Sequence, residues 1–331
     1  MKQSFQFHID EEQAGRRLDE FLASRLDRLS RMRLRTLVAG GACTVNQSTA
    51  RGGQRVMRGD VIEIAFEDGA AGAMIPSAVP LEIIYEDDDL LVVSKPAGML
   101  VHPTRGVKTG TLANALAYYL NRERFGDDRQ ALMDEETGIA EELEERNAAE
   151  VCVTPRLSKM LPTVRPGLVH RLDRATSGLM VVAKNQRALS ILSRHFHQRL
   201  VEKRYLALVQ GRVAVDQCVI FAPIGRDEGA QPKWRIMAQG KPAETHLRTL
   251  ERRESMTLVE LEPVTGRTNQ LRIHCAYLGH PVMGDELYGG ALAGARLALH
   301  AARLAFHHPT GGAWMEFDAP LPAELLEIIK G

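Results

Sequence analysis

Cysteine is sparse in this chain. The four that occur, Cys43, Cys152, Cys218 and Cys275, lie far apart with no C-x-x-C spacing, so neither a zinc framework nor a disulfide scaffold is indicated. Reduced, mostly buried thiols are expected. Long apolar runs are missing as well. No stretch approaches the roughly 18 residues a membrane span needs, and Met1 to His8 has no apolar segment of signal-peptide length, which predicts a cytoplasmic protein. Phosphate-cradling G-x-x-x-x-G-K and dinucleotide-type G-x-G-x-x-G strings do not occur either, leaving nucleotide cofactors without sequence support. His195 with His197, and His307 with His308, are poor metal pairs, because such spacings turn the rings to different faces of a helix or strand. Finally, neither sign of charge is in excess: 42 Lys and Arg balance 42 Asp and Glu.

That balance argues at first against a nucleic-acid partner, since phosphate binding normally leaves a basic imprint. The distribution reads differently. Between Arg16 and Arg58 lie ten arginines against the acids Asp19, Glu20 and Asp27, whereas Asp127 to Glu150 is strongly acidic. Zero is a sum of opposed regions and says little about any one face.

At 331 residues, 44% hydrophobic and 25% charged, the chain has material for roughly two domains with ample core. Leu18, Phe21, Leu22, Leu26 and Leu29 recur at helical spacing. Ser30 reads as the N-cap of a second helix, with Met32, Leu34, Leu37 and Val38 inward and Arg31, Arg33 and Arg35 polar-facing. Cys43 to Asn46 and Val61 to Ile64 read as short strands, and Gly69 to Ser77 as a linker. Beyond it, strands are predicted at Leu81 to Tyr85, Leu90 to Lys95, Tyr205 to Gln210, Thr245 to Thr249, Thr257 to Glu262 and Trp314 to Phe317. Helices are predicted from Thr111 to Leu120 and over Ala188 to Leu200. Strand runs mixed with a few helices give an α+β class. An acidic insertion at about 121–165 reads as a solvated surface excursion.

The chemistry concentrates at residues 170–184, H-R-L-D-R-A-T-S-G-L-M-V-V-A-K. Asp173 stands between Arg171 and Arg174 in a polar loop that feeds an apolar strand, a place where a reactive group can be held still. The plain alternative is a carboxylate capping a surface turn. A hydrolase reading fails because Ser177 lacks the G-x-S-x-G elbow.

This string resembles the first motif of the RluA family of pseudouridine synthases, H-R-L-D-x-x-T-S/T-G-L. Lys203 to Val209 resembles the family's K-x-Y-x-A-x-V, and Pro263 to His274 its third motif, continuing through Asp285 to Gly289. The resemblance covers about residues 80–325. It implies a catalytic domain over 80–331 on a mixed, mainly antiparallel sheet flanked by helices and loops, acting on RNA without cofactor or metal. Asp173 is then the catalytic carboxylate, Arg272 its salt-bridge partner and Tyr205 the residue stacking on uracil. Arg171 takes part in base flipping, and Arg267 and Lys203 contact substrate. Asn269 departs from the family's usual His.

Residues 1–75 are similar to the small RNA-binding module first recognised in the fourth protein of the small ribosomal subunit (S4-like), with Arg31, Arg33 and Arg35 as RNA contacts. Gln47 stands where that module usually has Gly, which puts the turn there in question. Relatives with this domain pairing act on large-subunit ribosomal RNA, so ribosomal RNA is the expected partner of a monomeric enzyme. Transfer RNA, or a catalytically silent assembly factor, are the alternatives.

Overall fold

The structure, a computed structural model, describes residues 2–26, 29, 31–67, 75–104, 106–125, 165–227, 233–290 and 295–330. Most of the linker and the acidic insertion, the N-cap Ser30 and Cys152 lie outside them. The chain divides into two compact units, Met1–Ala78 with Ala117–Arg165, and Val79–Leu116 with Pro166–Gly331.

In the first unit, strand β1 (Lys2–His8) precedes helices α1 (Leu18–Arg25) and α2 (Arg31–Ala39). Strands β2 (Cys43–Val45), β3 (Ser48–Thr49) and β4 (Val61–Glu67) complete a sheet ordered β1-β4-β2-β3. Leu18, Phe21 and Leu22 of α1 and Leu34 and Val38 of α2 pack on Val45, Ile62 and Ile64. The strand β1 is an addition to the sequence reading, although Phe5 and Phe7 alternate with Ser4 and Gln6 as a half-buried strand should. Val45 pairs with Ser48, and Asn46 and Gln47 between them have φ of 51° and 67°. This is the two-residue hairpin geometry that favours Asn-Gly. Gln47 therefore keeps the turn while accepting a left-handed backbone.

The three arginines of α2 do not share a face. Residues two apart on a helix are separated by about 200°, and Arg33 is half-buried while Arg35 is exposed. Arg35 Nε donates to Asp19 Oδ2 at 2.7 Å and Arg17 Nε to Asp19 Oδ1 at 3.0 Å. Asp19 is 5% exposed, so this carboxylate organises its arginines at the edge of the core. The Arg31 side chain lies outside the described residues.

In the second unit, β5 (Glu82–Glu86) and β6 (Leu90–Lys95) form the predicted hairpin, followed by α3 (Leu112–Leu120), while α4 (Arg122–Phe125) belongs to the first unit. Next among the described residues come β7 (Gly167–Leu168), β8 (Ser177–Ala183), α5 (Gln186–His197) and β9 (Glu202–Gln210). The Asn185 side chain caps α5 by accepting from the Ala188 N–H. Leu200 lies beyond that helix and is exposed. Strand β10 (Gln217–Phe221) leads to a separate hairpin of β11 (Ile224–Arg226) and β12 (Trp234–Ile236). Then follow β13 (Glu244–Arg252), β14 (Met256–Pro263), α6 (Gln270–Tyr277), β15 (Leu299–His307), β16 (Trp314–Asp318) and α7 (Ala323–Lys330).

The large sheet runs β10-β13-β14-β9-β15-β8-β6-β5, with β16 beside β15 and β7 beside β8. All its pairings are antiparallel except β15 with β8. Every residue of β8 is buried, as the apolar run predicts. Gly178 makes the parallel contact possible: its φ is 116°, and a Cβ there would collide with the Ala301 carbonyl oxygen. Among the described residues no helix is long and apolar enough to cross a membrane.

Candidate active site

Strand β15 lies between β8 and β9, so the loop leading into β8 and the side chains of β9 meet at one end of it. Asp173 sits in that loop, and Tyr205 on β9 pairs with Ala301 of β15. They line one cleft of about 150 Å³ together with Arg171, Arg267, Asn269 and Arg272. The sequence-predicted trio Asp173, Tyr205 and Arg272 thus converges from three elements. Lys203 does not line this cleft. It is half-buried beside Arg199 and Glu262, and burial lowers its pKa.

The expected grip of Arg272 on Asp173 takes another form. Arg272 gives its bidentate pair to Asp285, Nε to Oδ2 and Nη2 to Oδ1, both at 2.7 Å. Asp285 also accepts from the N–H groups of Leu287 and Tyr288, so its carboxylate is saturated and 1% exposed. Only Nη1 faces Asp173, at 3.8 Å from Oδ2, a charge contact beyond hydrogen-bond length. The guanidinium is fixed by Asp285 and presents its remaining edge to the cleft.

The nearest donor to Asp173 is Asn269. The hydrogen-bond pattern orients its carboxamide with the nitrogen 2.9 Å from Oδ2 and 3.3 Å from Oδ1, and the oxygen 3.0 Å from the Tyr288 hydroxyl. The opposite orientation would set a carbonyl against a carboxylate.

Burial raises the Asp173 pKa above its ordinary value. Arg272, Arg171 and Lys95 oppose that shift, while Asp285 adds to it. Burial, reinforced by the Asp173 charge, raises the Tyr205 phenol far above its usual range, so Tyr205 is a protonated phenol at neutral pH. It has no hydrogen-bond partner among the described residues, which leaves the ring and hydroxyl to the cleft.

Buried polar groups hold this arrangement rigid. Gln270 accepts from the Thr265 hydroxyl and the Arg267 N–H, and donates to the Glu244 carbonyl and Thr245 Oγ1. Thr245 Oγ1 lies 2.9 Å from His274 Nδ1, and His274 Nε2 is 3.1 Å from the Ala222 carbonyl. That carbonyl can only accept, so the His274 proton sits on Nε2 and Thr245 donates to Nδ1. Burial lowers the His274 pKa and keeps the ring neutral. The third motif therefore roots α6 while Arg272 and Asn269 face the cleft.

On the other side, Lys95 is fully buried. Its ammonium donates to the carbonyls of Pro96 at 2.8 Å, Met99 at 2.9 Å and Arg174 at 3.2 Å. Arg174 Nε bonds the Gly98 carbonyl in return, so the 95–99 turn clamps the residue next to Asp173. Behind the loop, His170 Nε2 accepts from the Val181 N–H. Burial takes its pKa down to about 3, so the ring is a neutral acceptor with its proton on Nδ1.

Lys95 and Asp285 are the supporting residues that sequence reasoning left unassigned. Lys95 ends a predicted strand and Asp285 lies in the quoted motif continuation, so the only available signal was a charged residue in otherwise apolar or turn-forming surroundings. Arg171 is exposed at the cleft. Arg267 donates from Nε to the Pro242 carbonyl at 3.1 Å while lining it, so it is partly committed to its own loop. Among the described residues no group of three or more His, Cys, Asp or Glu is arranged to hold a metal.

Comparison with known proteins gives consistent results. The profile of a family described as RNA pseudouridylate synthase matches residues 89–277. An uncharacterised RNA pseudouridine synthase of Bacillus subtilis is 37% identical, over 97% of this chain and 95% of that protein. Ribosomal large subunit pseudouridine synthase C of Vibrio parahaemolyticus is 34% identical, over 98% and 95%. Ribosomal large subunit pseudouridine synthase D of Nitrosomonas europaea is 36% identical, over 96% and 84%. Among solved structures, human RNA Pseudouridylate Synthase Domain Containing 1 superposes with a TM-score of 0.52 at 30% identity, covering 77% of this chain and 86% of the human one.

Proposed function

The chain belongs to the RNA pseudouridylate synthase family, whose members are RNA isomerases, and from that footing we propose that it converts uridines of large-subunit ribosomal RNA to pseudouridine, with Asp173 as the catalytic carboxylate. The names of two similar proteins, both ribosomal large subunit enzymes, support this choice of RNA. The observation that carries the residue assignment is the half-buried Asp173 carboxylate in a cleft shared with Arg272 and Tyr205.

The reaction breaks the bond between ribose C1′ and uracil N1, turns the base, and joins C1′ to C5. The C5 proton leaves and N1 gains one, so nothing is added or lost overall. No redox equivalent or nucleotide enters this balance. Negative charge is needed where the glycosidic carbon becomes electron-poor, as in glycoside hydrolysis, and Asp173 supplies it. Arg272 keeps that carboxylate charged against the cost of burial. The Tyr205 ring stacks on uracil, with its phenol oxygen near the departing C5 proton.

A uridine inside a stacked helix cannot reach Asp173 and must be extruded. Arg171 fills the vacated space, and Arg267 contacts the adjoining backbone. Residues 1–75, read as an S4-like RNA-binding domain, contribute phosphate contacts through Arg31, Arg33 and Arg35. The protein acts as a cytoplasmic monomer with RNA as its partner.

Mapping pseudouridines across total RNA from cells with and without the gene tests the substrate. Sites lost from large-subunit ribosomal RNA are expected; sites lost only from transfer RNA would overturn that half of the proposal. In purified protein, Asp173→Ala is expected to abolish isomerisation with RNA affinity changed only modestly, because affinity rests on many phosphate contacts. Retained turnover would refute the assignment. The active form is the carboxylate, so the rate falls as pH drops through the Asp173 pKa. That acid limb is expected above the ordinary aspartate value of 3.8, since burial raises it.

A further inference from the structure

Asn269 has φ 53° and ψ 21°, immediately before α6, yet its side chain caps none of that helix's N–H groups. The left-handed backbone costs most residues roughly 1 kcal/mol or more, and asparagine tolerates it better than most. The conformation swings the carboxamide away from the helix and toward the carboxylate. The nitrogen lies 2.9 Å from Asp173 Oδ2 and the amide oxygen 3.0 Å from the Tyr288 hydroxyl. That hydroxyl is also 3.0 Å from the Trp234 carbonyl on β12, and the Tyr288 ring lies against the Arg272 guanidinium, 5.1 Å from Cζ to ring centre.

Building on the assignment of Asp173 as the catalytic carboxylate, we propose that Asn269 is its positioning residue, the neutral donor that sets the carboxylate's rotation, with its own carboxamide held in place by the Tyr288 hydroxyl. Charge alone does not set that rotation. The Arg272 contact to Asp173 is long, at 3.8 Å, and a charge at that distance favours the ionised form without strongly preferring one carboxylate angle. Among the described residues, Asn269 is the group within hydrogen-bond distance.

Both Asn269 and Arg272 favour Oδ2, the oxygen nearer to each. Oδ1, 3.3 Å from the same nitrogen, is the less engaged of the two oxygens. An amide suits the task because it does not titrate, so the donor persists wherever Asp173 is ionised. The other charged and titratable groups around this carboxylate are Arg171 on its own loop, Lys95 behind it, Arg272 and Asp285, and the phenols of Tyr205 and Tyr288. None of them is removed by changing Asn269.

The test uses the full chain with Asn269→Gly, which keeps the left-handed backbone, and Asn269→Asp, which keeps the shape but replaces the donor by an acceptor. The Asp173 carboxyl is titrated by carbon-13 NMR of aspartate-labelled protein, with Asp173→Asn identifying its signal. Its pKa is expected to rise by about one unit in Asn269→Gly and further in Asn269→Asp. Single-turnover isomerisation should fall roughly tenfold or more, with RNA affinity within about twofold. Tyr288→Phe should give an intermediate loss.

An unchanged carboxyl pKa and rate in both Asn269 variants, with the proteins folded by thermal melting, would overturn the proposal. The titration is read without turnover. A wild-type protein inactive on every RNA tried would therefore count against the proposed function, while the carboxyl pKa still decides the role of Asn269.

Discussion

Lys95 carries an ammonium into the interior and meets three carbonyls there, one of them on the residue after Asp173. Lys95→Met would keep much of the side-chain bulk and leave those carbonyls without their donor. A loss of about 2 kcal/mol or more in urea unfolding is expected, together with slower isomerisation as the Asp173 loop loosens. Equal stability in the variant would show that the turn holds itself. At this level Asp173, Tyr205 and Arg272 were legible because each falls within a distinctive string. Asp285 was not, since its meaning lies in the bidentate pair with Arg272, and pairing across a fold leaves no local mark. The same reasoning reverses one expectation: Arg272 holds Asp173 by a single edge because Asp285 takes the other two nitrogens.

Strands that alternate or form compact apolar runs between turns, such as β6, β8 and β14, were readable from their periodicity. Strand β15 was not. Its sequence L-H-A-A-R-L-A-F-H is buried along nearly its whole length, so it has no polar face to alternate with, and its alanines favour helix as readily as strand. Helix α6 was hidden for a related reason. Gln270 to Cys275 are all buried, so no amphipathic stripe marks it, and its N-cap residue serves Asp173 instead of the helix.

Turn chemistry was readable but its outcome was not, because Gln47 adopts the backbone that glycine would prefer. Gln47→Gly should therefore stabilise the first unit by about 0.5 kcal/mol, the relief of left-handed strain exceeding the entropy lost by glycine. Slower amide exchange across β2 and β3 would register it. Faster exchange would mean that the Gln47 side chain contributes more than its backbone costs.

Charge is the property of the whole chain that its total conceals. Forty-two basic and forty-two acidic side chains sum to zero, yet between Arg16 and Arg58 ten arginines face only three acids, and there Arg17 and Arg35 are ordered by Asp19. If this unit grips RNA phosphates, replacing Arg31, Arg33 and Arg35 together with Gln should weaken binding. It should also reduce the slope of log affinity against log salt by about two, at roughly 0.7 to 0.9 per lost phosphate contact. A slope unchanged by the triple substitution would move the RNA-binding face elsewhere.

By itself the sequence determined the local matters: which loop bears the reactive carboxylate, which runs are core strands, and which family's motifs the chain carries. Those follow from neighbouring residues, through turn chemistry and apolar periodicity. Tertiary structure alone decided that Asp285 holds Arg272, that Lys95 clamps the Asp173 loop, and that Asn269 reaches the carboxylate. These contacts join segments distant in the chain, and hydrogen-bond geometry over a few ångströms exists only once β15 has brought β8 and β9 to its two sides.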